Sequence, residues 1–485
     1  MPRPFDPRVF DLPPEVDLAH ALSRLRRRPG LCALDSAAGE PRRWGLVAFD
    51  PLRALSQRSS EGDPRALLRA ALARLGPARS AVPGPFAGGF LGALSYDLGV
   101  RGERPVDVAP EPWGFPDLVG GIYGDFVVRD EARGRAWLVL DAGAEDGRPS
   151  VEQRSAELLE LLLGEPERAR EPAGPAGPGE PGEPGERAGL GPHARRHVSG
   201  PEHMRRIESV RRSIAEGELY QANLAHRFTA PVAADPVELY LRLRHVNPAP
   251  YMGFCTWVDP RSGPGALLSA SPELLFEFDG ETARTRPIKG TAPRAADPEQ
   301  DRLRGEQLLA SEKDLAELVM IVDLERNDLG RISRPGGVRV EGFPTLRSYA
   351  RVHHLMADVL GEVSPGVGAL EVLDALFPGG SVTGAPKLAS MDLIAQLEGE
   401  GRGFFCGSLG FVDTRGQSAF NILIRTLLWR PRPPAAQVGE AGEVSFRVGG
   451  GITWSSDPAA EDRETLDKAA GLLDALGLER STGPH

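Results

Sequence analysis

Cysteine is scarce, with three residues in 485, and Cys32, Cys255 and Cys406 are widely spaced along the chain. That argues against a disulfide framework or a cysteine-built metal centre and fits reduced thiols in a cytoplasmic protein. No stretch approaches the ~20 uninterrupted apolar residues of a membrane helix. The opening MPRPFDPRVF also lacks the apolar core of a signal peptide. Positive charge is in deficit: 57 Lys and Arg stand against 68 Asp and Glu, a formal net charge of −11. General nucleic-acid and acidic-membrane binders need clustered cations, so those classes fall away. A small anionic substrate held by a few local cations does not. What is present, 41% apolar and 26% charged residues, matches a soluble globular protein with ample material for a core.

One compositional break interrupts the chain. Residues 164–200 repeat Gly, Pro and Glu and cannot bury enough apolar surface to offset the entropy of ordering. They are expected to form a flexible insertion between an N-terminal region, 1–163, and a catalytic region, 201–485. Before the insertion, residues 44–50, 86–99 and 121–130 read as strands. After it, Pro201 opens a helix with Met204, Ile207, Val210 and Ile214 on one face. A strand at 219–228, one long helix over 306–328, a helix at 386–398, a buried strand at 421–428 and a terminal helix at 457–476 follow. Without regular βαβ alternation, these elements imply an α+β fold with antiparallel sheets.

Several polar clusters fit neither a plain core nor a plain surface. Residues 269–294, SASPELLFEFDGETARTRPIKGTAPR, read as a hairpin turning at Asp279-Gly280. Its second arm is expected to deliver Arg286, Lys289, Thr291 and Arg294, and Gly290 beside the lysine lets a ligand approach the backbone. Neighbouring arginines would lower the lysine's pKa and free its lone pair for attack. Glu273, on the first arm, would face it as proton donor or acceptor. The same residues also fit an exposed basic hairpin. Asp314 with Glu317, and Glu461 with Glu464, form two acidic i, i+3 pairs on two helices. Such a set suits Mg²⁺ shared with an anionic ligand, although acidic pairs are also ordinary solvated helix faces. FPGGSVTGAPK, residues 377–387, and the run containing Gly449, Gly450 and Gly451 offer backbone N–H groups to a carboxylate, and both also read as tight turns. Neither matches the GxxxxGK[ST] phosphate loop. Arg425, inside the apolar NILIRTLL, requires a buried anion or an acidic partner.

Taken together, these blocks resemble the chorismate-utilising enzymes. GELYQANLAHRF, NPAPYMGF, SASPELL, TRPIKGTAPR, LVMIVDLERNDLGR, VHHLMADVLGEV, FPGGSVTGAPK, RGFFCGSLGF, NILIRT and GGGITWSSDP occur in the family's order over about residues 201–476. LDSA at 34–37 and GGFLGALSYDLG carry a weaker N-terminal likeness. The resemblance implies one α+β unit of two face-packed antiparallel β-sheets surrounded by helices, with the long insertion at its surface. It implies that Glu317 and Glu464 bind Mg²⁺, that Asp314 and Glu461 stand behind them, and that the ion holds the ring carboxylate of chorismate. Gly290, Thr291, Arg425 and the Gly449, Gly450 and Gly451 amides would be further substrate contacts, and His354 matches the family's active-site histidine. Phe405 stands where anthranilate synthases often have tyrosine, so a hydroxyl contact there is absent.

Position 289 divides the family. Anthranilate synthases usually have PIAGT, and the PIKGT found here resembles aminodeoxychorismate synthases. The implied reaction is attack of neutral Lys289 on ring carbon two while Glu273 protonates the departing hydroxyl at carbon four. Ammonia, delivered from a separate glutamine amidotransferase subunit, then displaces the lysine to leave 4-amino-4-deoxychorismate. Some members also bind tryptophan away from the active site, and Ser36, Pro250, Tyr251 and Met252 sit where that ligand lies. Those four equally fit plain packing between the halves. The rival readings are an anthranilate synthase large subunit, an isochorismate or salicylate synthase, and an inactive regulatory homologue. Lys289 weighs against the first, and the intact set Glu273, Lys289, Glu317, Arg425 and Glu464 against the last.

Overall fold

The computed structural model describes residues 3–38, 44–103, 109–143, 147–164, 194–349, 352–432 and 441–478. Most of the expected insertion, residues 165–193, lies outside the described residues. Its last part is ordered, because Arg195–Arg196 pairs with Phe228 and Thr229 at the edge of a sheet.

Two large sheets organise the chain. One has twelve strands in the order 195–196, 221–232, 442–452, 426–431, 263–271, 251–259, 32–35, 44–48, 126–130, 135–141, 7–12, with Gly384–Ala385 added at one side. The other has ten, running 288–293, 352–363, 282–286, 274–278, 418–421, 408–413, 89–94, 118–123, 53–57, with Ser333–Ser348 also pairing 352–363. Every large-sheet ladder is antiparallel, as the sequence implies, and both sheets draw strands from each side of the insertion. The sheets pack face to face around Cys32, Leu46, Leu91, Val119, Phe126, Leu267 and Leu409. Helices cover the outer faces: Leu22, Leu158, Leu243 and Leu472 close one, and Leu68, Leu318, Val322 and Leu373 the other. No helix among the described residues is long and apolar enough to cross a membrane.

Three expected elements divide where the chain changes direction. The long helix over 306–328 is two helices, Pro298–Leu309 and Glu312–Gly330. Ser311 caps the second by accepting from Asp314 N–H at 3.3 Å, the position where a serine hydroxyl serves a helix best. Residues 86–99 form a strand only over Gly89–Leu94 and then turn into the helix Tyr96–Glu103. The apolar run 421–428 leaves one sheet after Asn421 and joins the other at Thr426. A segment with both faces buried reads the same in sequence whether or not it changes sheet.

The cysteines, distant in sequence, are not all distant in space. Strand Cys32–Asp35 pairs with strand Tyr251–Asp259, and Cys32 stands opposite Cys255.

Candidate active site

Two neighbouring strands pass from the twelve-stranded to the ten-stranded sheet together, and their crossings carry two of the expected residues. Strand Gly263–Ser271 becomes Leu274–Phe278 through Glu273, and strand Ser418–Asn421 becomes Thr426–Pro431 through Arg425. The crossings hold one another: Ile422 N–H donates to the Glu273 carbonyl at 3.0 Å, and Ala270 N–H to the Arg425 carbonyl at 3.0 Å. Arg425 adopts φ +51°, a left-handed backbone that a bulky residue rarely takes, and this is why NILIRTLL cannot be one strand.

Lys289 does not sit on the hairpin's second arm. That arm, Thr282–Arg286, ends before Pro287, and Lys289 falls on the next strand, Ile288–Pro293, opposite Leu355. Gly290 forms a bulge there with φ +74°. A β-carbon on Gly290 would stand 3.0 Å from Asp314, so only glycine gives both the backbone angle and the close approach. On the other side, a β-carbon on Gly451 would stand 3.4 Å from the Lys289 Nζ.

Burial is the main cause that lowers the Lys289 pKa; the carboxylates of Glu317, Glu273 and Glu464 oppose it, and Lys468 adds to it. The expected influence of arginines is absent, because they are engaged elsewhere. Arg286 donates to Asp358 at 2.7 Å and to the Tyr251 hydroxyl at 3.2 Å, and Arg294 donates to Asp301 at 2.9 Å. Glu273 is buried, and burial pushes its carboxyl up to about 6 against the Ser381 hydroxyl, Lys289 and the Ile288 N–H beside it. Glu273 Oε1 and Ser381 Oγ nonetheless lack a well-formed hydrogen bond.

His354 and Thr291 face each other across paired strands, with Nδ1 and Oγ1 3.0 Å apart. Burial, then the nearby Arg425 charge, lowers His354 to about 4, so the imidazole is neutral near pH 7. Arg425 itself is pushed below its usual value by burial, with no carboxylate among the described residues offsetting the cost. A desolvated guanidinium without an acidic partner there is a candidate anion site.

Gly449, Gly450 and Gly451 are strand residues and not a loop after one. They pair with Ala225, Leu224 and Asn223 on one side. The strand on the other side reaches only Phe446, which leaves that edge of the glycine run open. Gln221 was not singled out from sequence. It is fully buried, both its amide atoms lack partners, and Nε2 lies 2.5 Å from where a Gly451 β-carbon would be. Nothing in the sequence marked it, since the same strand carries Asn223, His226, Arg227 and Thr229 and buries two of them.

The helices Glu312–Gly330 and Pro458–Leu476 bring their acids to the same region. Burial raises the Glu317 pKa, Lys289 and Lys313 oppose that, and Asp314 and Glu461 add to it. Burial works against the Glu464 carboxylate too, but Lys468, Lys313 and Lys289 outweigh it and its pKa falls. Lys313 lies 3.9 Å from Glu317, while Lys468 lies 2.9 Å from Glu464 and donates to the Gly449 carbonyl at 2.9 Å. Glu461 is held by the Ser456 hydroxyl at 2.7 Å. Among the described residues the four acids do not converge as tightly as His203, His226 and Asp462, whose ligand atoms lie within 4.8 Å of one another. Arg196 is paired with Asp462 in that trio.

The chain has four lysines, Lys289, Lys313, Lys387 and Lys468, among 57 cationic residues. Three act on the same acids, and the fourth, Lys387, donates to Asp328 at 2.6 Å behind them. Arginine stays charged where lysine can become neutral, and at position 289 a lysine is shifted in that direction.

The family model described as chorismate binding enzyme matches residues 32–474. The aminodeoxychorismate synthase component 1 of Klebsiella aerogenes is 33% identical over 97% of this chain and 99% of its own. The anthranilate synthase component 1 of Streptomyces coelicolor is 38% identical over 86% of this chain and 78% of its own. Anthranilate synthase component I from Streptococcus pneumoniae superposes with a TM-score of 0.72 at 28% identity, covering 89% of this chain and 92% of that one. The chain belongs to the chorismate-binding enzymes. It is therefore a chorismate-utilising enzyme, and the two-sheet fold expected from the resemblance is the one observed.

In this chorismate-binding enzyme Phe405 is buried in the core beneath the ten-stranded sheet, 5.6 Å from the Arg402 guanidinium carbon. A cavity of about 1140 Å³, whose lining does not include Lys289, lies between the twelve-stranded sheet at residues 34–38 and 250–252 and the ten-stranded sheet at Leu274, Arg284, Arg286 and residues 346–349. Ser36, Pro250, Tyr251 and Met252 all line it, together with Arg284 and Arg286.

Proposed function

We propose that this enzyme is the large subunit of an aminodeoxychorismate synthase, converting chorismate and ammonia to 4-amino-4-deoxychorismate through a covalent bond to Lys289. The observation that carries this reading is the pairing of an amine and an acid in complementary states. Lys289 is shifted toward its neutral form although Glu317 and Glu464 oppose that shift, and those two acids also have Lys313 and Lys468 beside them. Glu273, at about 6, retains a protonated fraction near neutral pH. The resemblance of PIKGT at 287–291 to aminodeoxychorismate synthases points the same way.

The chemistry follows from those states. The Lys289 lone pair attacks ring carbon two as the two conjugated ring double bonds shift, and the carbon–oxygen bond at carbon four breaks. Glu273 gives its proton to the departing hydroxyl, which leaves as water. Ammonia then attacks carbon four, both double bonds shift back, and the lysine leaves carbon two. One difficult displacement becomes two easier ones. Arg425, the Thr291–His354 pair, Gly290 and the open edge at Gly449–Gly451 hold the substrate's carboxylates and orient the ring, with the Gln221 amide beside the lysine.

Glu317 and Glu464 would hold Mg²⁺, with Asp314 and Glu461 behind them; bound there, the ion supplies positive charge for a substrate carboxylate. The donor set fits, since hard carboxylate oxygens suit Mg²⁺, and a cation would offset the burial, and to a lesser extent the Asp314 and Glu461 charges, that raise Glu317. Ammonia comes from a separate glutamine amidotransferase subunit, because all three cysteines are buried and none is placed as a glutaminase nucleophile. The cavity at Ser36 and Pro250 to Met252 takes tryptophan.

Anthranilate synthesis is the second reading, favoured by the 38% identity to the Streptomyces relative. Incubation of the chain with chorismate, Mg²⁺ and an ammonium salt separates the two. Aminodeoxychorismate as product supports the proposal, and anthranilate or isochorismate sinks it.

A further inference from the structure

Cys32 and Cys255, 223 residues apart, stand opposite each other on neighbouring strands with their Sγ atoms 2.7 Å apart. Thr256 N–H donates to the Leu31 carbonyl at 2.8 Å, which makes Leu31 and Thr256 a hydrogen-bonded pair of the antiparallel ladder. The adjacent pair, Cys32 and Cys255, is then of the non-hydrogen-bonded kind, where α-carbons approach to ~4.5 Å and side chains converge. That separation lies within the range a disulfide spans. Neither strand has to move for the sulfurs to bond.

We propose that this pair is an oxidation site: a peroxide converts the two thiols to a disulfide that joins the N-terminal segment to the catalytic segment. One thiol gives up its proton, its thiolate attacks a peroxide oxygen and the O–O bond breaks, giving a sulfenic acid and a hydroxide that takes up the released proton as water. The second sulfur attacks the sulfenic sulfur, the S–O bond breaks, and hydroxide leaves as a second water. Two electrons pass from the sulfurs to the peroxide. Both residues are fully buried, and the Cys32 sulfur together with burial pushes the Cys255 thiol up. The reaction is therefore slow and selects a small, uncharged oxidant.

The bond joins strand Cys32–Asp35 to the strand that begins at Tyr251. Tyr251 accepts from Arg286 through its hydroxyl and from the Asn421 side chain through its carbonyl, so oxidation fastens the wall of the large cavity. Cys406 serves as an internal control, being buried with no sulfur neighbour among the described residues.

The test treats the full chain with hydrogen peroxide, denatures it, and alkylates the remaining thiols before intact-mass measurement. The proposal predicts one alkyl group where the reduced protein takes three, a chain about 2 Da lighter before alkylation, and recovery of all three with dithiothreitol. Unfolding of the oxidised protein should shift upward by a few degrees. Cys255→Ser should abolish the cross-link, and peptide mapping of the unsubstituted protein identifies the linked peptides should that variant misfold. Three alkyl groups after oxidation, unlinked oxygen adducts, or a bond between two chains would overturn it.

Discussion

The molecule passes strands between its two sheets at two places, and the two crossings end differently. Near the N-terminal side, strand Trp44–Ala48 becomes Arg53–Gln57 and strand Leu118–Tyr123 becomes Phe126–Asp130. As at the catalytic crossing, the pair is held by backbone hydrogen bonds, from Phe49 N–H to the Asp125 carbonyl and from Leu52 N–H to the Ile122 carbonyl. One residue there, Asp50, takes φ +48°, close to the +51° of Arg425. The side chains differ. Asp125 is satisfied by Arg148 at 2.8 Å, by Arg154 and by the Asp141 N–H at 3.0 Å. Among the described residues Glu273 keeps an oxygen without a partner, and no carboxylate offsets the burial of Arg425. The same backbone device is closed by protein charges at one end and left open at the other. Buried polar groups are usually paired, so the open crossing is the better candidate to receive a ligand.

The sharpest way to break that comparison is to remove the proposed nucleophile. Lys289→Ala should lower aminodeoxychorismate formation by on the order of 10⁴-fold or more, measured as product released at saturating chorismate and ammonium. Glu273→Gln should cost about 10²–10⁴-fold and change the shape of the pH profile. Since Glu273 acts as its protonated form, wild-type turnover should fall as pH rises through about 6. Since Lys289 acts as its neutral form, turnover should rise with pH through the lysine's lowered value. In Glu273→Gln the fall at higher pH should vanish while the lysine-dependent rise remains.

The two crossings should also separate stability from binding. Asp125→Asn should destabilise folding by about 1–3 kcal/mol, because it takes a buried charged acceptor from two half-buried arginines, and should leave KM for chorismate unchanged. Arg425→Leu should do the reverse, raising KM about 10–100-fold while leaving the thermal midpoint the same or higher. If Arg425→Leu proves as destabilising as Asp125→Asn, the contrast between the crossings fails. The smallest effect belongs to the supporting acids: Asp314→Asn or Glu461→Gln should weaken Mg²⁺ affinity about 10–100-fold, read by titrating activity with the metal.

Much of this was legible in the sequence because the chemistry lies in short runs. PIKGT, the acidic pairs and the glycine triplet could be picked out residue by residue as candidates, and the antiparallel design followed from the strand pattern. What stayed hidden depended on contacts across the chain. Lys289 owes its shifted state to burial against strand Gly442–Ile452, not to the arginines beside it in sequence, which are bound to Asp358 and Asp301. The break in NILIRTLL follows from a change of sheet that no apolar pattern marks, and Gln221 from a partner that is a glycine. The approach of Cys32 to Cys255 needed the register of two strands 223 residues apart.

The central claim is a covalent bond between Lys289 and the ring, and the most direct measurement is the intact mass of enzyme quenched in acid while turning over chorismate without ammonia. A covalent adduct of chorismate less one water, mapped to the peptide containing Lys289 and absent from Lys289→Ala, is the predicted result. An unmodified chain, together with full synthase activity in Lys289→Ala, would contradict it.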